Sequence, residues 1–242
     1  MFNWLKKLWH SKQCLLCMQQ LYSVQAICPA CEHDLPWLLD ACCDCALPLP
    51  PGDVRCRQCQ LQSPAFAQVV APWRYAFPVN TLISRFKYNA SWSYGRLLSQ
   101  GLVQHLQYMF QEQGLERPDF LVAVPLAKKR LRQRGYNQSQ MIAGWLAREL
   151  GIPSMDKLVR RVRYTQIQQG LSARQRRHNM QQAFAVQDTQ VVQGKHVALV
   201  DDVLTTGATC EALAQELLAA GARRVDVYCL ARTGRVDSGK AE

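Results

Sequence analysis

Val200-Asp201-Asp202-Val203-Leu204-Thr205-Thr206-Gly207-Ala208-Thr209 is the stretch that decides the fold. It continues the apolar segment Val197-Ala198-Leu199 and opens a helical pattern over about 208–220, stopped by Gly221. A buried strand feeding a helix start forms the ligand-binding edge of an open α/β sheet. The helix start offers unpaired N–H groups and roughly half a positive charge, which suits a phosphate. Thr205, Thr206 and Thr209 add hydroxyls, and Gly207 lets the backbone approach a ligand without a Cβ. Asp201 and Asp202 would repel phosphate but suit ribose hydroxyls and a magnesium ion. The two halves together read as a sugar-phosphate site, which a capped helix with two solvent-facing acids would not explain.

Outward from this loop, apolar strands alternate with helical patterns. Residues 120–124, 196–200 and 225–230 read as buried strands, and 69–71 with 73–77 suit a strand pair. One helix is expected over about 93–110, with Leu97, Leu98, Leu102, Leu106 and Met109 on one side. Another spans 137–150, with Met141, Ile142, Trp145 and Leu146 inward and Gly151 and Pro153 ending it. The alternation implies an α/β fold, a mostly parallel sheet flanked by helices.

Nine of the eleven cysteines precede residue 60. Eight form Cys-x-x-Cys pairs: Cys14/Cys17, Cys28/Cys31, Cys42/Cys45 and Cys56/Cys59. Two thiolates at that spacing grip one metal across a tight turn, and two pairs complete a tetrahedral zinc site. Ten residues separate the pairs within each successive set, the pattern of a small zinc-ribbon module with one or two zinc ions. Spacing leaves crossed pairing open, and Cys43 is a possible substitute for Cys42. Zinc is worth roughly 10–16 kcal/mol in small finger peptides, enough to replace a missing core. Cys210 and Cys229 read as buried inert thiols and His33 as a surface residue. The module is assigned to 1–62 and the α/β domain to 63–242.

The chain carries a formal charge of +11, all of it in residues 63–242, since 1–62 balance to zero. Two zinc-loaded four-cysteine sites would bring the module to about −4, so any contact with nucleic-acid phosphates falls to the second domain. The cationic stretches there are 128–134 and 157–177. The polar, basic run 160–179 reads as a long loop able to close as a flap over bound pyrophosphate. Its candidate residues are Gln168, Ser172, Arg176, Arg177 and Asn179. No run approaches the roughly 20 apolar residues of a membrane span. The start shows no export signal, so a cytoplasmic setting without membrane insertion is expected.

The 200–209 string resembles the phosphoribosyl-pyrophosphate (PRPP) motif of type I phosphoribosyltransferases. The resemblance implies a catalytic, ribose-holding pair in Asp201 and Asp202, with Mg2+ accompanying PRPP. It also implies a 5′-phosphate wrapped by Thr205, Thr206, Gly207, Ala208 and Thr209. The turn Pro125, Leu126, Ala127 and Lys128 is the counterpart of the family's pyrophosphate loop. Enzymes acting on 6-oxopurines often carry an acid where this chain has Thr205, which argues against hypoxanthine or guanine as acceptor.

Over nearly its whole length the chain resembles the ComF/GntX family of bacterial DNA-uptake and DNA-utilisation proteins. The resemblance lies in the cysteine pairs, Arg134-Gly135-Tyr136-Asn137-Gln138, residues 165–179, the 200–209 string and the ending 225–233. It implies a role in competence or in using external DNA as nutrient, with single-stranded DNA or DNA-uptake proteins as partners. Three functions stay open at this point: a transferase releasing pyrophosphate, a PRPP or nucleotide sensor without turnover, and a DNA-handling scaffold.

Overall fold

The structure is a computed structural model that describes residues 12–21, 26–162 and 183–234. The segment 163–182, which includes Gln168, Ser172, Arg176, Arg177 and Asn179, lies outside the described residues.

A short antiparallel pair, β1 (Lys12–Gln13) and β2 (Gln20–Leu21), flanks the first Cys-x-x-Cys turn. The framework is a parallel sheet built from β3 (Gln68–Val70), β4 (Trp73–Arg74), β5 (Phe120–Ala123), β8 (His196–Leu204) and β9 (Arg224–Arg232). Its order is β3-β9-β8-β5, with β4 also on β9. The central strands are long apolar runs because both faces are covered. On one face lie α3 (Val79–Tyr88), α4 (Trp92–Glu112) and α6 (Gln138–Leu150). They bury Ile83, Phe86, Leu102, Leu106, Ile142 and Leu146 against Ala198, Val200 and Tyr228. The opposite face holds α8 (Ala208–Ala219), whose Cys210, Leu213 and Leu217 pack on Val197, Leu199 and Cys229. Cys210 and Cys229 are both fully buried, and burial pushes both thiols up, Cys229 to about 12. A two-stranded antiparallel pair, β6 (Val159–Arg161) and β7 (Phe184–Val186), brackets the undescribed segment and is followed by α7 (Thr189–Val192).

Four expectations are corrected. Residues 69–71 and 73–77 are not a strand pair. Val70 pairs with Tyr228 and Trp73 with Ala231, so β3 and β4 are two pieces of one edge in unbroken register along β9. Pro72 lies between them and has no N–H to give the ladder. The central strand does not end at Val200: Asp201, Val203 and Leu204 continue to pair with β9. Arg160 and Arg161, read as the start of the long loop, instead lie in β6, paired with Ala185 and Phe184. The basic run at 128–134 is a helix, α5 (Lys128–Arg134), closed by Gly135 at φ 82°. Helix α3 was not anticipated, although Val79, Leu82, Ile83 and Phe86 recur with helical spacing.

Described residues of the first 62 pack into this core. Cys14, Ile27, Cys28 and Leu35 join the cluster on the α3, α4 and α6 face, and Ala46 joins the cluster on the other face. Trp37 and Trp73 form an antiparallel bridge with ring centroids 5.5 Å apart. Trp73 is pressed on α4, where a Cβ added at Gly101 would lie 2.4 Å from its ring. Gly101→Ala is therefore expected to destabilise the chain by about 1–3 kcal/mol, read as a lower urea midpoint at constant slope. An unchanged midpoint would mean that Trp73 can yield. Among the described residues no helix is long and apolar enough to cross a membrane.

Candidate functional site

All strands of the main sheet run the same way, so the ends of β5, β8 and β9 share one edge. The sheet thereby puts the 125–128 turn, which follows β5, and the 205–209 loop, which follows β8, at the same edge. Asn137 caps α6 and donates from Nδ2 to the Val124 carbonyl at 3.1 Å, anchoring the start of the turn. Ala127 is the N-cap of α5 and Lys128 its first residue, exposed.

The loop turns at Gly207, whose φ of 78° is left-handed and strained for any side chain, and which N-caps α8. Thr205 and Thr206 are exposed, whereas Gly207, Ala208 and Thr209 are half-buried. The Thr206 hydroxyl accepts from the Ala208 N–H at 3.4 Å.

Asp201 and Asp202 are held differently. Asp201 accepts from the Ser139 hydroxyl at 2.9 Å and from the Asp202 N–H at 2.8 Å. Burial, then the Asp202 charge, raises its pKa to about 7 against those two donors and Lys87. Asp202 is 4% exposed and its Oδ1 meets Lys87 Nζ at 2.9 Å. Its Oδ2 is buried with no hydrogen-bond partner among the described residues. A carboxylate oxygen left unsatisfied in a buried place is costly unless something arrives to use it. Hard oxygens of this kind suit ribose hydroxyls and Mg2+.

Lys87 and Ser139 are functional candidates that the sequence reading missed. Lys87 sits near the end of α3 and Ser139 in the first turn of α6. The periodicity of α3 was the available signal, but nothing local says that its Lys87 meets residue 202. Lys87 also lines a pocket of about 390 Å3 with Tyr88, Arg130, Gln133, Arg134 and Tyr136, so the carboxylates adjoin a cationic recess.

The cysteines form two uncrossed groups, Cys14, Cys17, Cys28 and Cys31, and Cys42, Cys45, Cys56 and Cys59, with sulfurs within 4.8 Å of one another. Each group uses two tight turns. In α1 (Pro29–His33) and α2 (Arg57–Leu61) the capping Cys28 and Cys56 sulfurs accept N–H bonds from Cys31 and Cys59. Burial opposes ionisation of Cys14 and Cys42, yet backbone N–H donors outweigh it and bring them to about 6 and about 7. Burial pushes Cys45 up to about 11. Four sulfurs so placed, some already disposed to be thiolate, fit a tetrahedral Zn2+ and would lose protons to it. Cys43 is no substitute for Cys42: it is exposed, with its thiol on Asp44 at 3.6 Å. His33 is likewise at the surface.

Residues 137–240 match the phosphoribosyl transferase domain. Fold and site together define a phosphoribosyltransferase-type α/β protein preceded by two four-cysteine knuckles. The DNA utilization protein YhgH of Salmonella typhimurium (strain LT2) is 35% identical over 91% of this chain and 96% of its own. Competence protein F of Haemophilus influenzae is 32% identical over 91% and 96%, and competence protein ComFC of Bacillus subtilis 25% over 93% and 96%. The chain belongs to this ComF-type family of bacterial DNA-utilisation and competence proteins.

Proposed function

We propose that the chain binds PRPP with magnesium and transfers its phosphoribosyl group, as part of the use of external DNA. The observation that carries this reading is the carboxylate pair on β8 running directly into the loop that opens α8. The 5′-phosphate occupies Thr205, Thr206, Gly207, Ala208 and Thr209, and the ribose hydroxyls take Asp201 and the free oxygen of Asp202. Pyrophosphate lies toward Pro125, Leu126, Ala127 and Lys128, where Lys87 is within reach once the sugar claims Asp202. Magnesium supplies positive charge that stabilises the departing pyrophosphate. In the transfer, the C1–O bond to pyrophosphate breaks and its electrons leave with that group. A nitrogen of the acceptor bonds to C1 and loses its proton to solvent. Positive charge building on the ribose faces the two aspartates. The names of the relatives support the DNA-linked setting, and the two four-cysteine groups are read as structural zinc sites.

Calorimetric titration with PRPP and Mg2+ tests the site, and no heat would sink it. Pyrophosphate release over a panel of bases separates transfer from sensing, since a sensor binds PRPP without releasing it. The pH dependence is specific. Asp201 at about 7 is mostly protonated at pH 6, and a ligand that needs its carboxylate must expel that proton. PRPP affinity should thus fall about tenfold per pH unit below 7 and level off above it. Ligand-free stability moves the other way: a carboxyl raised from 3.8 stabilises the fold at low pH and loses that contribution as pH rises through about 7. A flat affinity from pH 5.5 to 8 would remove Asp201 from the contact.

A further inference from the structure

We propose that Arg232 is a positioning residue for the phosphate loop: it clamps the loop to the second cysteine knuckle, so metal held there sets the loop's order. This rests on reading 205–209 as the phosphate loop. Arg232 ends β9 and is 6% exposed. Among the described residues no carboxylate lies within ion-pair distance of it. Its guanidinium is instead spread over main-chain acceptors. Nε donates to the Cys45 carbonyl at 2.9 Å. Nη1 reaches the Leu204 carbonyl at 3.1 Å, the Thr233 carbonyl at 3.0 Å and the Thr205 carbonyl. Leu204 is the last residue of β8 and Thr205 the first of the loop. One planar, always charged fork therefore joins a metal-site peptide to the hinge of the loop, a geometry that lysine's single ammonium cannot reproduce.

Other contacts tie the same two parts. Val69 N–H donates to the Asp44 carbonyl at 2.9 Å, fixing the knuckle against β3. Beyond Cys59, the Ala65 N–H donates to the Glu211 carboxylate in the first turn of α8 at 2.9 Å. The Phe66 ring lies 4.0 Å from where a Cβ on Gly207 would sit. The second knuckle thus touches the loop at its strand end through Arg232 and at its helix end through the segment after Cys59. The knuckle's own buried cluster is only Cys42, Leu47, Cys56 and Cys59, too little apolar surface to keep its shape without metal. The first knuckle's Cys14 and Cys28 belong instead to the cluster on the α3, α4 and α6 face, which makes it an internal control.

The test uses the full zinc-loaded chain and hydrogen exchange of the amides at 203–209, with zinc content measured in parallel. Arg232→Lys should keep both zinc ions yet speed exchange of these amides about tenfold or more, and weaken PRPP binding by a similar factor. Cys59→Ser should lose one zinc and loosen the same amides, whereas Cys31→Ser should lose one zinc and leave them protected. Wild-type protection in Arg232→Lys would overturn the clamp. If Cys59→Ser fails to fold, stepwise chelation of the wild type replaces it, and loop exchange that ignores loss of the second zinc overturns the metal link. Exchange needs no ligand, so a wild-type protein that gives no PRPP heat would sink the ligand reading while these outcomes still judge the clamp.

Discussion

Asp202→Asn is expected to abolish measurable PRPP heat and to lower stability by about 3 kcal/mol at neutral pH. The stability loss follows from the ion pair. Lys87 and Asp202 meet at 2.9 Å with side chains 19% and 5% exposed. Removing one partner of such a pair leaves a charge with little water around it, which costs about 3–5 kcal/mol when burial is complete. The residual exposure of Lys87 places this pair at the low end. Lys87→Met, the mirror change, leaves two adjacent buried carboxylates and should destabilise increasingly as pH rises. The double variant should regain much of what either single change loses, because neither charge is then stranded. Urea unfolding at pH 7.5 of the four proteins measures the coupling; strictly additive losses would mean the pair is not formed in solution. The binding loss has a separate origin. Hydrogen bonds to a charged acceptor contribute about 1.5–3 kcal/mol each, so losing the carboxylate weakens a ribose by roughly 100-fold or more if two bonds are affected. Lys87→Met should weaken PRPP binding through the lost pyrophosphate contact yet less than Asp202→Asn does, since Asp202 is still there to accept the ribose.

Removal of zinc is the second large effect. The purified chain is expected to carry two zinc ions, and stripping both should lower its melting temperature by about 10–20 °C, not merely unfold a tail. At this length each kcal/mol is worth about 2–4 °C, so this drop corresponds to about 5 kcal/mol, a fraction of the roughly 10–16 kcal/mol zinc is worth in isolated finger peptides, because packing on the main core supports the knuckles as well. The loss spreads because knuckle residues belong to the main cores: Cys14 and Leu35 on the α4 face and Ala46 on the α8 face. Elemental analysis beside calorimetry checks the pairing. Cys45→Ser should remove one zinc and Cys43→Ser none. A stripped chain that melts where the loaded one does would show that the thiols hold no structural metal.

Much of the candidate site was legible because its parts are contiguous. Asp201, Asp202, Thr205, Thr206, Gly207, Ala208 and Thr209 fall within one unbroken run, and an apolar strand before them with a helix after them gives each an address. The cysteine spacings were equally local, though they left pairing open until the two groups closed separately. The edge strand was misread because apolar, aromatic runs mark a strand without naming its neighbour: Val70 and Trp73 both turned out to pair with β9. Helix α3 hid in a short, basic, aromatic stretch whose apolar period, Val79, Leu82, Ile83 and Phe86, covers only two turns.

The sequence by itself determined the strand-turn-helix around Gly207, the four Cys-x-x-Cys pairs and the alternation that makes a parallel sheet, since each is a property of neighbours along the chain. Only the tertiary structure placed Lys87 on Asp202, Ser139 on Asp201 and the Arg232 fork between Cys45 and Thr205. Those contacts join residues that lie far apart along the chain. A charge has no partner until the sheet edge and the helices crossing it bring one within reach, and their packing decides which.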